Sequence, residues 1–205
     1  VCCGALALHE GDLERARSLA RRNLDTLRRL RVDAVVTDSA GCGAVLKEYG
    51  GLLAGEPKYS RRAAELGQKV MDISEFLDRL GLVRPEYSAD VTVTYHDACH
   101  LAHAQGIRDE PRRLIRSIEG LRLVEMVDSD QCCGSAGTNG LRHPEIGREL
   151  RDRKVENALR TGARIIVSPN IGCTLQIMSG LRARGKAVPV LHPVELLDAA
   201  YTGTG

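Results

Sequence analysis

The sequence predicts an α/β fold built from two repeated lobes, with mostly parallel strands flanked by helices. Short apolar runs alternate with longer amphipathic segments along the 205 residues, which is typical of strands alternating with helices. The tripeptide Cys-Cys-Gly occurs at residues 2–4 and again at 132–134, and similar segments follow both copies in the same order. A further cysteine follows the pair after 39 residues in the first copy and 40 in the second. An internal repeat of this kind indicates two copies of one structural unit.

We place the first lobe at residues 1–82. Leucine and alanine recur at intervals of three and four residues over 12–30, which predicts an amphipathic helix. The apolar run at 34–36 predicts a strand, and the segment 39–42, Ser-Ala-Gly-Cys, follows it. Residues 71–77 close this copy of the repeat.

We place the second lobe at residues 91–201, after a linker at 82–90 that contains Pro85. Its first strand is rich in β-branched residues, and its longest helix opens at Pro144. The predicted strands are 91–95, 120–127, 163–168 and 188–191, and the predicted helices are 144–161 and 174–184. Segments 170–173 and 191–197 correspond to 39–42 and 71–77 of the first lobe.

The composition excludes several classes of protein. The 29 basic and 27 acidic residues leave a net charge of +2, and no aromatic residues are interleaved with the arginines of 15–31, so we predict no nucleic-acid partner. No apolar run approaches the roughly 18 residues of a transmembrane helix, and nothing resembles a signal peptide. We therefore expect a cytoplasmic protein with reduced thiols. Seven cysteines, an odd number, also disfavour a disulfide framework.

The cysteines of the second lobe all follow predicted strands. Cys99, Cys132, Cys133 and Cys173 lie just past strand ends, at the sheet edge where ligands bind in open α/β folds. Converging thiolates repel one another unless a cation neutralises them, and a metal ion or an iron–sulfur cluster does so.

Features of the flanking segments support such a site in both lobes. Helices expected to begin after Cys42 and Cys173 would direct the positive ends of their dipoles at the bound group. Glycines near the cysteines let the backbone approach closely. These are Gly41, Gly43, Gly134, Gly137 and Gly172.

Several alternatives stay open at this point. Four cysteines could hold a structural zinc ion, although the usual Cys-x-x-Cys spacing is absent. Cys99 could be a nucleophile, since His96, His100 and His103 surround it. Phosphate binding by the glycines of 134–140 matches no known fingerprint. Isolated buried thiols fit less well, because the Cys-Cys pair and the later cysteine occur in both copies of the repeat. A vicinal disulfide also fits less well, because adjacent Cα atoms about 3.8 Å apart are too close for an ordinary disulfide.

The spacing of Cys99, Cys132-Cys133-Gly134 and Cys173, with the partial first copy, resembles the CCG or cysteine-rich domain. One of the subunits of heterodisulfide reductase shares this domain with the iron–sulfur subunits of glycolate oxidase, lactate-utilisation and anaerobic glycerol-3-phosphate dehydrogenase complexes. The resemblance covers about residues 1–200. The segments 39–44, 47–50, 132–138 and 143–145 are most similar to the glycolate oxidase iron–sulfur subunit.

The resemblance implies two Rossmann-like lobes and an electron-transfer subunit with no catalytic residue of its own. A [4Fe–4S] cluster would be bound by Cys99, Cys132, Cys133 and Cys173, with zinc as the alternative. The partner would be a flavoprotein that oxidises a 2-hydroxy acid such as glycolate. Electrons would pass from it toward quinone, and the complex would associate with the inner face of the cell membrane. The alternatives are an iron–sulfur subunit of the heterodisulfide reductase, lactate-utilisation or glycerol-3-phosphate dehydrogenase type, or a zinc-binding scaffold.

The chain departs from the family pattern in two respects. It opens at Val1 inside the first repeat and lacks the ferredoxin-like Cys-x-x-Cys-x-x-Cys segment, so it resembles a C-terminal fragment with a truncated first lobe. The first lobe then has three thiols, Cys2, Cys3 and Cys42, and we expect this incomplete site to be empty or labile. Ser39 and Asn170 stand where the fuller pattern has the first cysteine of a Cys-x-x-Cys element, which disfavours heterodisulfide reduction.

Overall fold

A computed structural model describes residues 2–203, in which the chain forms two compact units, Val1–Asp72 and Ile73–Gly205. The helix Ile73–Leu80 groups with the second unit, whereas the repeat pattern places its sequence at the end of the first lobe. The lobe limits of 1–82 and 91–201 therefore stay a prediction about the repeat. Among the described residues, no helix is both long and apolar enough to cross a membrane.

The first unit surrounds a two-stranded parallel sheet with helices. Its elements are α1 (Ala5–His9), α2 (Leu13–Leu27), β1 (Val35–Thr37), α3 (Ala40–Lys47), α4 (Tyr49–Leu52), α5 (Ser60–Lys69) and β2 (Val70–Asp72). The side chain of Asp12 caps α2 by accepting the Arg15 N–H at 3.1 Å. The middle of the predicted apolar stripe is buried, with Ala20 and Leu24 in the core of this unit, whereas Leu13 and Leu30 at its two ends are exposed.

The second unit contains a four-stranded parallel sheet, which confirms the predicted α/β class. Its elements are α6 (Ile73–Leu80), β3 (Val91–Tyr95), α7 (Cys99–Ala102), α8 (Asp109–Ser117), β4 (Leu121–Leu123), α9 (Asn139–Arg142), α10 (Pro144–Arg160), β5 (Ile165–Val167), α11 (Ile171–Ala183), β6 (Val190–Leu191) and α12 (Pro193–Thr202). The strand order is β4-β3-β5-β6, and every neighbouring pair is parallel. Aliphatic side chains of the sheet, α8 and α12 form the core.

Two predicted boundaries differ from the structure near the cysteines. Both α3 and α11 begin before their cysteine rather than after it, so Cys42 and Cys173 lie in the first helical turn. The strand predicted at 120–127 ends at Leu123, and the chain from there to the cysteine pair is a loop. The cysteines therefore lie in loops and first helical turns that follow the strands. Ligands of open α/β folds bind in this region, beyond the carboxyl ends of the strands.

Candidate metal centre

The four cysteines of the second unit come together at the carboxyl ends of three adjacent strands. Cys99 opens α7 after β3, Cys132 and Cys133 follow β4, and Cys173 lies in the first turn of α11 after β5. The sulfur of Cys132 contacts those of Cys99 and Cys133, and Cys133 also contacts Cys173. The convergence follows from the topology, because the carboxyl ends of neighbouring parallel strands meet at one edge.

The pKa shifts of these thiols alternate in direction along the chain of contacts. Hydrogen bonds from the Cys133 and Cys99 thiols lower the pKa of Cys132. The pKa values of Cys99 and Cys133 are raised, since these thiols donate to their neighbours and are partly or fully buried. The pKa of Cys173 is well below its usual value, first through Cys133 and then through the nearby imidazole of His96. The cluster of sulfurs thus retains protons that a bound cation would replace.

Backbone and side-chain N–H groups are directed at these sulfurs. Gly134 donates its N–H to the sulfur of Cys132 at 3.4 Å, and the Asn170 amide donates to the sulfur of Cys173 at 3.5 Å. Asn170 is the N-cap residue of α11, yet its side chain makes no capping hydrogen bond to the backbone. Both groups favour the thiolate form, as expected where an anionic centre is bound.

His96 lies beside two of the cysteines. Its ring nitrogen and the sulfurs of Cys133 and Cys173 all lie within 4.8 Å of one another, and all three residues are buried. The Nδ1 atom of His96 lies 3.2 Å from the carbonyl oxygen of Ser129. The sequence pattern identified His96 only as one of several histidines around Cys99. Its position at the end of β3 is the signal that could have placed it at the site.

The other two histidines differ from His96. His100 Nδ1 lies 3.5 Å from the sulfur of Cys99, while His103 is half exposed and faces the carbonyl oxygen of Asp130 at 3.3 Å. The pKa of Cys99 is raised rather than lowered, primarily through its contact with Cys132. This shift is opposite to that of a nucleophilic thiol activated by histidine, so the raised pKa disfavours a Cys–His pair.

A buried ion-pair network joins the two loops that carry the site. Asp97 is 2% exposed and accepts two hydrogen bonds from Arg112, at 2.8 and 2.7 Å, and one from Ser129 Oγ at 2.7 Å. Arg112 also binds Glu125 at 2.8 Å. Since Asp97 lies between His96 and Cys99, this network fixes the loop after β3 against the loop after β4.

A buried lysine also supports the loop after β4. Lys154 of α10 is 1% exposed and donates to the carbonyl oxygens of Asp128 and Ser129. Burial lowers the pKa of Lys154. The side chain holds the backbone immediately before the Cys132-Cys133 pair.

Glycines after the pair pack backbone against backbone. Gly134 has a φ of +88°, and a Cβ there would lie 2.3 Å from the carbonyl oxygen of Gly147. A Cβ on Gly140 would lie 2.5 Å from the carbonyl oxygen of Gly134. These glycines therefore serve close packing, which accounts for them without a phosphate.

The first unit repeats part of this arrangement. The sulfurs of Cys3 and Cys42 are 3.1 Å apart, and Gly4 donates its N–H to the exposed Cys2 at 3.4 Å. The hydroxyl of Tyr49 donates to the carbonyl oxygen of Cys3 at 2.6 Å. Hydrogen bonding by Cys3, helped by the Ser39 side chain, lowers the pKa of Cys42 to about 6. All seven cysteines of the chain are free thiols.

The chain is similar in sequence to one protein family and to several known proteins. Residues 1–47 and 93–178 match the family described as the cysteine-rich domain, CCG. The chain is 38% identical over 200 residues to the probable glycolate oxidase iron-sulfur subunit of Bacillus subtilis (strain 168), covering 96% of the chain and 45% of that protein. It is 32% identical over 203 residues to lactate utilization protein A of Oceanobacillus iheyensis, covering 98% of the chain and 82% of that protein.

A third relative is named as a reductase subunit. The chain is 38% identical over 204 residues to a subunit of the fumarate reductase (CoM/CoB) of Methanothermobacter marburgensis, covering 98% of the chain and 39% of that protein. The chain thus spans less than half the length of two of these three relatives. The family match includes both Cys-Cys-Gly tripeptides and the later cysteine of each repeat. The chain belongs to the cysteine-rich (CCG) domain family.

Proposed function

We propose that the second unit binds a [4Fe–4S] cluster through Cys99, Cys132, Cys133 and Cys173, and that the chain transfers electrons. The observation that carries this proposal is the convergence of four cysteine sulfurs from three strand ends. Thiolates are the usual protein ligands of such clusters, and the names of two relatives include an iron-sulfur subunit and a reductase subunit. The cluster, when bound, would accept and release single electrons.

The residues of this chain would stabilise the charge of that centre. The N–H groups of Gly134 and Asn170 point at cysteine sulfurs, and the positive end of the α11 dipole lies at Cys173. No described residue is needed as an acid, base or nucleophile, so the role proposed is non-catalytic. These groups would tune the reduction potential of the centre.

The proposed assembly is a 2-hydroxy-acid oxidase of the glycolate oxidase type. A flavoprotein subunit would oxidise the hydroxy acid and pass electrons to the cluster, and quinone would receive them. The similarity to the probable glycolate oxidase subunit supports this choice. The complex would be cytoplasmic and attach to the inner face of the cell membrane through its other subunits. A lactate-utilisation role is the second candidate within the same class, because the chain covers 82% of that relative.

The second candidate function is structural rather than redox, with a zinc ion bound in the second unit. The grouping of His96, Cys133 and Cys173 within 4.8 Å favours it, since nitrogen and sulfur ligands at a single ion are typical of zinc. The chain would then be a scaffold for the other subunits. For the first unit we propose that Cys2, Cys3 and Cys42 hold metal weakly or not at all in this chain.

Anaerobic reconstitution with iron and sulfide tests the proposal. We expect about four irons and four sulfides per chain and an EPR signal on reduction. The variant Cys173→Ser should lose or strongly change this signal. The matched variant Cys42→Ser changes the cysteine at the equivalent position in the first turn of α3, in the first unit, and should keep the signal.

Three results would contradict the proposal or a part of it. Iron-free protein with stoichiometric zinc would establish the scaffold instead. An unchanged spectrum in Cys173→Ser would remove that residue from the ligands, and equal metal occupancy in both units would contradict the weak site of the first. Adding the flavoprotein subunit with glycolate should bleach the reconstituted cluster, and bleaching by lactate alone would favour the lactate-utilisation assembly.

A further inference from the structure

Lys154 is a buried cation whose hydrogen bonds reach no carboxylate. Its side chain is 1% exposed, and its ammonium group donates to the carbonyl oxygens of Asp128 and Ser129, the second at 3.1 Å. Burying a charge costs free energy unless an opposite charge compensates it. The position of Lys154 therefore indicates an anionic group nearby.

The two carbonyl oxygens do not depend on the lysine as their donor. The oxygen of Asp128 also accepts the N–H of Gln131 at 3.0 Å, and the oxygen of Ser129 also accepts the N–H of Asp97 at 3.0 Å. A neutral donor would serve these oxygens without the cost of a buried charge. Support of the loop does not by itself account for a lysine at this position.

The carboxylates around Lys154 are already paired with arginines. Three of them act on the pKa of Lys154 through their charges. Their ion pairs are Asp97–Arg112, Asp128–Arg153 and Asp130–Arg108, at 2.7, 3.0 and 3.4 Å. The charge of Cys133 raises the pKa of Lys154 more than any of these carboxylates does, although burial has the larger, opposite effect. The remaining source of negative charge around the lysine is the group of cysteine sulfurs.

Helix α10 packs its lysine-bearing face against the cysteine turn. A Cβ on Gly134 would lie 2.3 Å from the carbonyl oxygen of Gly147 and 3.2 Å from the backbone nitrogen of Arg151. Lys154 lies on the same face of α10, because residues three and four apart are neighbours on a helix surface. The ammonium group is therefore held close to the centre by the helix as well as by the loop.

We propose that Lys154 is a counter-charge of the bound metal centre and raises its reduction potential. The inference rests on the proposed function, because it assumes a cluster bound by the four cysteines of the second unit. Such a cluster gains negative charge on reduction, so a fixed cation nearby stabilises its reduced state. Solvent ions screen a buried charge much less than an exposed one. Lys154 would act on the potential without binding iron, and the four cysteine ligands stay the same.

Redox titration of the reconstituted protein, followed by EPR, tests the inference. Lys154→Met keeps most of the side-chain length and removes the charge. We expect the equilibrium constant for one-electron reduction to fall about tenfold or more, which corresponds to a potential about 59 mV more negative. Lys154→Gln keeps a hydrogen-bond donor without the charge and should show a similar fall. Lys154→Arg keeps the charge and should stay closer to the wild type.

The matched control is Arg153→Met, at the preceding position of α10. The Arg153 side chain is 59% exposed and pairs with Asp128 at 3.0 Å. Its charge is screened by solvent, so this variant should change the equilibrium constant less than about twofold. The iron content and the EPR spectrum of the reduced cluster should be the same in all variants, because none of them changes a ligand.

The outcomes separate the inference from the proposed function. A wild-type potential in folded, cluster-containing Lys154→Met would overturn the inference and leave the proposed function intact. A wild-type potential in Lys154→Gln alone would assign the effect to hydrogen bonding and overturn it too, as would an equal fall in Lys154→Arg or Arg153→Met. If neither neutral variant folds, the ammonium group is required by the loop itself, and the inference is wrong. Wild-type protein that binds no cluster would overturn the proposed function, and the inference with it.

Discussion

Gly4 and Gly134 adopt the same left-handed backbone conformation, with φ values of +89° and +88°. Each donates its N–H to the first cysteine of its own tripeptide, and both nitrogen–sulfur distances are 3.4 Å. The repeated Cys-Cys-Gly motif is therefore one tight turn formed twice. Glycine ends the motif because this conformation is costly for a residue with a Cβ.

Gly134→Ala should destabilise the second unit severely. The new Cβ would lie 2.3 Å from the carbonyl oxygen of Gly147, and the positive φ adds strain. We expect a loss of about 3 kcal/mol or more in the free energy of unfolding of the metal-free protein, measured by urea denaturation. The control is Gly162→Ala, at a φ of +68° with no atom within 4 Å of the added Cβ, which should cost only about 1 kcal/mol. Equal losses in the two variants would show that the close approach of Gly147 does not matter.

Arg112→Met should destabilise the protein by leaving Asp97 without its cation. Asp97 is 2% exposed, and removing one partner of a buried ion pair typically costs about 3–5 kcal/mol. Burial raises the pKa of Asp97, but the hydrogen bonds from Arg112 and Ser129 outweigh it and lower the pKa. The carboxylate therefore stabilises the wild type above its ordinary pKa, and this contribution is lost as the pH falls through the lowered pKa.

In Arg112→Met the pKa of Asp97 should rise, so the difference in stability from the wild type should shrink below about pH 4. Urea denaturation at about pH 7 and about pH 4 measures this change. The control is Arg116→Met, whose exposed side chain lies 3.6 Å from Glu125 and should contribute under about 1 kcal/mol. A pH-independent difference for Arg112→Met would contradict the assigned role of Asp97.

Asn170→Ala should lower the reduction potential of the proposed cluster. The Asn170 amide donates to the sulfur of Cys173 at 3.5 Å, and loss of this hydrogen bond destabilises the more negative, reduced state. A hydrogen bond of about 1 kcal/mol corresponds to a shift on the order of 40 mV for one electron. Redox titration followed by EPR measures the shift. Ser39→Ala, at the equivalent N-cap of α3, should leave the potential of the second-unit cluster unchanged.

Local sequence patterns were sufficient to predict the sheet and the convergence of the cysteines. The strand at 91–95 matches β3 residue for residue, since its β-branched alternation is strong, and Cys99 follows it as expected. The starts of α3 and α11 were placed too late, because a cysteine after a glycine gives no N-cap signal. The true N-cap residues, Ser39 and Asn170, are standard types for that position.

The parts that sequence could not supply depend on contacts between distant segments. Arg112 pairs with Asp97 across 15 residues, and no periodicity links an arginine on α8 to a loop after β3. The ring of His96 contacts the Ser129 carbonyl oxygen, which lies 33 residues away in the chain. The grouping of α6 with the second unit likewise depends on tertiary packing, because an amphipathic helix does not specify its partner.

Cys42 should be alkylated more readily than Cys3 in metal-free protein at neutral pH. Hydrogen bonding by Cys3 lowers its pKa to about 6, whereas the pKa of the buried Cys3 is raised. Iodoacetamide reacts with the thiolate, so the rate of modification of Cys42 should rise through about pH 6 and level off by about pH 7. Peptide mass spectrometry at several pH values measures the rates of modification of Cys42 and Cys3. Ser39→Ala removes a group that also lowers the pKa and should move the Cys42 profile to higher pH. A Cys42 rate that rises only near pH 9, as for an ordinary thiol, would show that the contact with Cys3 does not stabilise the thiolate.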